Sequence, residues 1–170
     1  MGDRRGFTLI ELAVVLVIIG ILMGAVLRGQ ELIKSAKEKK FFAKLRYLAS
    51  AQLTYLDRIG RYAGDTNDDG IIDDDATAWD ELKQQQLVQD NDKRHVFNGA
   101  FDFGGGVSPY GNYNYVHATR VPAWVGQSID NKIDDGDPTT GNVRWGNSIG
   151  GNPFPDDPNW AQQLWWWFDR

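Results

Sequence analysis

The stretch that decides the fold is Gly6-Phe7-Thr8-Leu9-Ile10-Glu11-Leu12, which opens an apolar segment covering residues 7–27. As an α-helix this segment is about 31 Å long, which is enough to cross the hydrocarbon core of a bilayer. Glu11 is the one charged residue inside the segment. Because a carboxylate is costly at that depth in lipid, we expect Glu11 to have both a partner and a purpose.

The residues around the segment argue against a cleaved secretory signal peptide. Residues 1–6 form a short polar leader with Arg4 and Arg5, and no Ala-x-Ala site follows Leu27. A secretory signal peptide has a shorter apolar region and ends at such a site. From the residues alone, the alternative is an ordinary signal anchor in which Glu11 is merely tolerated.

The basic leader, Gly6, the aromatic Phe7 and the run from Thr8 to Leu12 resemble the N-terminus of type IV prepilins and type II secretion pseudopilins. The resemblance implies that a prepilin peptidase cuts between Gly6 and Phe7 and methylates the new amino group of Phe7. It also implies that Glu11 neutralises the amino-terminal charge of a neighbouring subunit. Subunits would then leave the membrane and assemble through their N-terminal helices into a filament.

The distribution of positive charge predicts a membrane topology opposite to the one that the resemblance implies. Two arginines precede the apolar segment, whereas five basic residues follow it by residue 40. The positive-inside rule alone would therefore place the C-terminal part in the cytoplasm. The resemblance implies a bacterial inner-membrane precursor with its head in the periplasm, on an inner-membrane assembly platform. We adopt that topology because the motif is more specific than the charge bias.

The helical pattern continues beyond the apolar segment. Apolar residues recur at three- and four-residue spacing from Leu32 to Leu56, and Gly60 is the first plausible stop. We therefore predict one helix from near Phe7 to near Ile59, whose residues 28–60 are amphipathic. Residues 61–170 remain for one globular head. Within it, the patterning predicts strands at 96–103, 113–118 and 143–145, and helices at 77–88 and 121–133.

These elements predict an α+β, pilin-like fold in which a long N-terminal helix packs on a small antiparallel sheet. Pro122 is predicted in the first turn of the second short helix, and Gly136 is predicted to stop it. The chain has 170 residues, a net charge of −5 and no cysteine. The lack of cysteine excludes disulfides and thiol catalysis. The disulfide of many type IV pilins must therefore be replaced by something else.

The sequence gives no support for an enzyme. His95 and His117 lack the spacing of a metal pair, and Gly104–Gly106 lacks the lysine of a phosphate-binding loop. The serines show no nucleophile-elbow pattern. The basic stretch after the apolar segment is interpreted as a solvated helix face, so nucleic acid is not an expected partner.

An acidic loop carries the clearest binding motif. The run Asp65-Thr66-Asn67-Asp68-Asp69-Gly70-Ile71-Ile72-Asp73 matches the first nine positions of an EF-hand-type calcium loop. The expected ligands are the side chains of Asp65, Asn67, Asp69 and Asp73 and the backbone carbonyl of Ile71. The twelfth position is Ala76 instead of glutamate, and the substitutes considered are Asp74, Asp75, Asp80 and Glu81.

Calcium is accordingly the expected structural cofactor. Pseudopilins that resemble this chain use calcium in the head region, and six carboxylates between Asp65 and Asp75 would repel one another without a cation. The alternative is a solvated acidic turn, because aspartate, asparagine and glycine are also common turn residues.

A second acidic cluster could be a further cation site or simply a polar helix end. Its members are Asp130, Asp134, Asp135 and Asp137. Asp130 and Asp134 are four residues apart and would share one face of a helix.

The C-terminal tail is rich in aromatic residues: Trp160, Trp165, Trp166, Trp167 and Phe168. We predict that some of these rings are buried in the head and that others contact another subunit. The chain as a whole is interpreted as a filament subunit of a type IV pilus-like or type II secretion system. Two alternatives stay open: a membrane-anchored adhesin or lectin that never polymerises, and a DNA-uptake pseudopilin.

Overall fold

The computed structural model describes residues 8–106, 111–146 and 161–169. The chain divides into two compact units, Met1–Glu38 and Lys39–Arg170. The helices are α1 (Leu9–Ile59), α2 (Asp75–Gln84) and α3 (Ala123–Ile133), with a 3₁₀ turn at Asp90–Lys93. The strands are β1 (Phe101–Gly105), β2 (Asn114–Pro122), β3 (Val143–Gly146) and β4 (Ala161–Trp167).

The first unit contains the N-terminal part of α1. Every side chain of residues 9–27 is exposed. By length and composition, α1 contains a window apolar enough to cross a membrane, and none of that window is buried. Its exposed apolar residues have no counterpart in the head, where only a few large hydrophobic side chains among the described residues are exposed.

The second unit begins where α1 acquires a buried stripe. The buried residues recur at three- and four-residue spacing, the pattern of a helix with one face on a core, and include Phe41, Leu45, Leu48, Ala51, Gln52 and Tyr55. The helix ends where predicted. Gly60 has a φ of +92°, a left-handed conformation that glycine adopts without steric cost.

The sheet of the head has four antiparallel strands in the order β1-β2-β4-β3. Aromatic contacts join it to α1: the Phe41 and Phe101 rings stack at 5.4 Å, and the Phe42 and Trp166 rings lie 6.3 Å apart. The predicted α+β architecture, with a long N-terminal helix and a small antiparallel sheet, is confirmed.

The aromatic tail contains a strand where the sequence analysis predicted none. Its described part forms β4, an inner strand between β2 and β3 that was not predicted. Alternation along the strand sends Trp165 and Trp167 to one face and Trp166 to the other, where it meets Phe42. Trp165 and Trp167 are buried, while Trp166 and Phe168 are half-buried. The chain thus covers most of these rings itself; Trp160 lies outside the described residues.

The predicted strand at 96–103 is wrong in its first half. Residues 95–99 form a turn, in which His95 N–H donates to the Gly99 carbonyl at 3.2 Å and Asn98 adopts a φ of +61°. An added Cβ at Gly99 would lie 1.9 Å from the Thr119 carbonyl oxygen, so this close approach requires glycine at position 99. β1 consequently starts at Phe101.

The predicted short helices are present with shifted ends. Asp74 accepts a hydrogen bond from Ala76 N–H and caps α2, so this helix begins before residue 77. It ends before residue 88, and Gln86 has a positive φ of 57°. Pro122 closes β2 in an extended conformation, with a ψ of 139°, and is the N-cap of α3 instead of its first helical residue.

Candidate functional site

The start of α1 is organised by Thr8 and Glu11. Glu11 Oε2 accepts hydrogen bonds from Thr8 N–H at 2.7 Å and from Thr8 Oγ1 at 2.8 Å, while Glu11 N–H donates to Thr8 Oγ1 at 3.3 Å. This reciprocal pair is a capping box, which satisfies backbone donors that the first helical turn leaves without partners. Glu11 therefore stabilises the helix start within its own chain. The predicted processing residues Gly6 and Phe7 lie outside the described residues.

The acidic loop brings three of its predicted ligands together. Carboxylate oxygens of Asp65, Asp69 and Asp73 lie within 4.8 Å of one another. Two oxygens that bind one calcium ion at 2.3–2.6 Å are at most about 5 Å apart, so this donor set fits one hard cation. Asp65 is 2 % exposed, and Gly70 has the positive φ, 85°, that the predicted sharp turn requires.

Hydrogen bonds inside the loop hold these carboxylates in place. Asp65 accepts from the N–H groups of Asp69 at 3.3 Å and Gly70 at 2.9 Å. Asn67 Oδ1 accepts from Asp69 N–H at 3.0 Å, and its Nδ2 donates to Asp69 Oδ2 at 3.1 Å. Asp73 Oδ2 accepts from Thr66 Oγ1 at 3.1 Å. Thr66 N–H also donates to Asp73 Oδ2, at 3.4 Å. An ionised carboxylate has about four lone-pair sites, more than these bonds occupy, so the bonds are compatible with cation ligation.

The four residues considered as substitutes for the twelfth-position glutamate have other partners. Asp74 caps α2, and Asp75 Oδ1 accepts a hydrogen bond from β1 at 2.7 Å. Asp80 pairs with a lysine on its own helix at 2.9 Å. Glu81 binds Arg61 through both carboxylate oxygens. The described loop therefore offers a cation three carboxylates, without a bidentate glutamate.

Residues 1–27 match the family model described as "Prokaryotic N-terminal methylation motif". The chain carries the hallmark of type IV prepilin-like proteins. This motif implies processing by prepilin peptidase and belongs to structural precursors of the pilin type. No curated protein and no solved structure matches the chain significantly.

The second acidic cluster of the head is only partly assembled. Oxygens of Asp130, Asp134 and Asp135 lie within 4.8 Å of one another. Asp130 is fully buried and accepts hydrogen bonds from Gly136 N–H at 3.0 Å and Trp145 Nε1–H at 3.2 Å. Burial raises its pKa.

Asp137, the fourth predicted member of that cluster, is held by its own turn. Its Oδ1 accepts hydrogen bonds from the Thr139 N–H at 2.9 Å and the Thr139 Oγ1 at 2.7 Å. The Thr139 bonds lower the pKa of this carboxyl. The structure thus brings together three of the four aspartates that the sequence grouped.

Two anchors of the acidic loop were missed by sequence reasoning. Arg61 Nη1 donates to the Asp65 carbonyl at 3.0 Å, and Asn114 Nδ2 donates to the Gly70 carbonyl at 2.8 Å. Asn114 belongs to β2, 44 residues further along the chain. An isolated asparagine at the start of a strand carries no signal in the sequence that would connect it to this loop.

Proposed function

We propose that this chain is a structural subunit of a type IV pilus-like or type II secretion pseudopilus filament. The observation that carries the proposal is the N-terminal methylation motif on a helix whose apolar residues 9–27 are all exposed. A surface of that size needs a cover. Lipid covers it in the precursor, and the helices of neighbouring subunits cover it in the filament.

The proposed maturation follows from the same motif. Prepilin peptidase cuts between Gly6 and Phe7 and methylates the Phe7 amino group. The precursor spans the inner membrane once with its head in the periplasm, and an assembly platform in that membrane adds it to a filament. The partners are therefore the peptidase, the platform and other copies of the chain.

Glu11 has a second role in this proposal. In the dry interior of a filament its carboxylate pairs with the Phe7 amino group of a neighbour, because a buried charge without a partner is strongly unfavourable. The capping box supports this role by fixing the carboxylate at the helix start. Both bonds to Thr8 end on Oε2, so Oε1 is the oxygen we assign to the neighbour.

The test compares Glu11→Gln with Thr8→Ala. Glu11→Gln keeps the size and an amide oxygen for the cap but removes the charge, so processing should persist while filament yield falls at least tenfold. Thr8→Ala removes most of the cap, at about 1 kcal/mol, and keeps the charge. It should still assemble. Cleavage is read by mass and assembly by the sheared filament fraction. Normal filaments from Glu11→Gln would refute the pairing.

We also propose that calcium is a structural cofactor of the acidic loop. The ligands are the side chains of Asp65, Asn67, Asp69 and Asp73 and the carbonyl of Ile71. Bound calcium supplies the positive charge that offsets repulsion among the carboxylates, and it orders the loop in a chain that has no disulfide. The cluster around Asp130 is the weaker candidate, because its aspartates do not follow the spacing of an EF-hand-type calcium loop.

Thermal melting of the full chain in detergent micelles tests the calcium proposal. Saturating calcium at a hundred times its Kd should stabilise the folded head by about 2.7 kcal/mol relative to chelator. Asp69→Asn should reduce this gain, whereas Asp57→Asn, on the exposed side of α1, should retain it. Equal melting midpoints with calcium and with chelator would remove the proposal.

A further inference from the structure

We propose that Asn114 is a positioning residue of the acidic loop and that it couples cation binding there to the docking of the C-terminal end of β4. This inference rests on the proposed calcium role of the loop. Asn114 does not itself belong to the predicted ligands. It acts through the peptide groups around Ile71.

Asn114 is fully buried, and its side-chain amide is engaged on all sides. Its Nδ2 donates to the Gly70 carbonyl at 2.8 Å and to Asp169 Oδ2 at 2.6 Å. Its Oδ1 accepts from Ile72 N–H at 2.8 Å. One primary amide thus supplies two donors and one acceptor to two separate segments of the chain. Few side chains other than asparagine and glutamine can do this.

The bond from Ile72 fixes the predicted backbone ligand. The Ile72 N–H and the Ile71 carbonyl belong to one planar peptide group and point in opposite directions when that group is trans. Holding the N–H on Asn114 Oδ1 therefore directs the Ile71 carbonyl away from Asn114. The Gly70 carbonyl is held by the same side chain. Asn114 consequently fixes the orientation of both peptide groups that flank Ile71, the seventh position of the loop.

The same residue anchors the C-terminal end of the chain. Asn114 N–H donates to Asp169 Oδ1 at 2.7 Å, and Phe168 N–H donates to the Asn114 carbonyl at 3.2 Å. Gly105 approaches closely on the other side, since an added Cβ there would lie 2.4 Å from Asn114 Oδ1. The Phe168 ring also meets Tyr62 edge-on, with a centroid distance of 6.0 Å.

Coupling follows from this shared anchor. When a cation orders residues 65–73, the Gly70 and Ile72 groups hold the Asn114 amide in the one orientation that also binds Asp169. Docking of residues 168–169 then requires less additional ordering. By thermodynamic linkage, a docked C-terminal end must in turn raise the affinity of the loop for the cation.

Hydrogen–deuterium exchange on the full chain in detergent micelles tests the coupling, with calcium chloride or chelator as the two conditions. In the wild type, calcium should slow exchange both in residues 65–73 and in residues 161–169. Asp169→Asn leaves one acceptor oxygen where the carboxylate offers two, so it cannot hold both Asn114 N–H and Asn114 Nδ2, but it leaves the bonds to Gly70 and Ile72. It should keep calcium protection in the loop and lose it in β4. Asp57→Asn is the matched control and should behave as the wild type.

Asn114→Ala tests the positioning role. Loss of a residue that orients a metal ligand typically weakens metal affinity by about 10- to 100-fold. A merely structural asparagine would instead lower the melting midpoint equally with calcium and with chelator. We therefore expect the calcium-dependent gain in midpoint to shrink at a fixed calcium concentration. An unchanged gain in Asn114→Ala would overturn the positioning role, and Asp169→Asn keeps the coupling testable if the alanine variant does not fold.

The possible outcomes distinguish a failure of the coupling from a failure of the calcium proposal on which it rests. Calcium protection in the loop of the wild type without any in residues 161–169 would overturn the coupling and leave the calcium site standing. No calcium effect anywhere would overturn both. Neither result bears on filament assembly, which the Glu11 variants test independently.

Discussion

At the scale of single residues, His95 is a half-buried imidazole whose hydrogen-bond partners favour the neutral ring. Its Nε2 lies 2.8 Å from the Thr119 carbonyl and so carries the proton, while Nδ1 accepts from Phe97 N–H at 3.3 Å. The ring lies 4.9 Å from Phe41 and 5.0 Å from Phe101. Burial among these rings lowers the pKa of His95. A proton added to Nδ1 would also break the bond from Phe97.

This environment predicts a pH dependence of stability. Below the ordinary histidine pKa of about 6.5, His95 is protonated in the unfolded chain but stays neutral in the folded chain. The free energy of unfolding therefore falls as pH decreases. The contribution is fully present above that value. Urea unfolding between pH 5 and pH 7.5 measures it, and His95→Gln should reduce the slope.

The matched control is His117→Gln. His117 lies on β2, where its Nε2 is 2.9 Å from Gln163 Oε1. The part of the slope that belongs to His95 should persist in this variant. A wild type whose stability does not change with pH in this range would contradict the assignment of His95 as a half-buried neutral imidazole.

At the scale of elements, a forked ion pair joins the end of α1 to α2. Arg61 donates to Glu81 through both terminal guanidinium nitrogens, and the bond from Nη1 to Oε2 is 3.0 Å long. Glu81 also accepts from Gly64 N–H at 2.8 Å, and Arg61 donates to the Asp65 carbonyl. The bond to Arg61 lowers the pKa of Glu81. This clamp fixes the segment from which the acidic loop begins.

We expect Arg61→Lys to destabilise the head although it keeps the charge. Lysine cannot reproduce the two-pronged geometry, and hydrogen bonds to charged groups are worth about 1.5–3 kcal/mol each. Chemical denaturation measures the loss. The control is Lys83→Ala, which removes exposed pairs of α2 and should change stability by at most about 1 kcal/mol. Equal losses in both variants would contradict a special role for the clamp.

Helices and strands were predictable where neighbouring residues in the sequence carry the periodicity or the stop signal of the element. The apolar periodicity and Gly60 defined α1, and residues 113–118 and 143–145 carried enough strand pattern to predict β2 and β3. β4 was missed because its sequence does not alternate between apolar and polar residues: Gln162 and Gln163 are adjacent, and three tryptophans follow one another at its end. The turn at Asn98-Gly99 was missed because apolar neighbours on either side hid it.

At the scale of the whole molecule, the same contrast holds for function. The methylation motif and the acidic loop are local in sequence and were both visible, whereas one anchor of the loop, Asn114, comes from a distant segment. Asn114 reaches that loop from β2, and Asp169 reaches Asn114 because β2 and β4 are neighbours in the sheet. Long-range hydrogen bonds of this kind depend on topology, which a single sequence does not specify.

The most direct test of the central claim is mass spectrometry of the N-terminal peptide in sheared filaments. The filament proposal predicts a peptide that begins at Phe7 and carries one added methyl group, recovered in the filament fraction. An intact leader of residues 1–6, found only in the inner membrane, would contradict it and would favour a membrane-anchored binding protein that never polymerises.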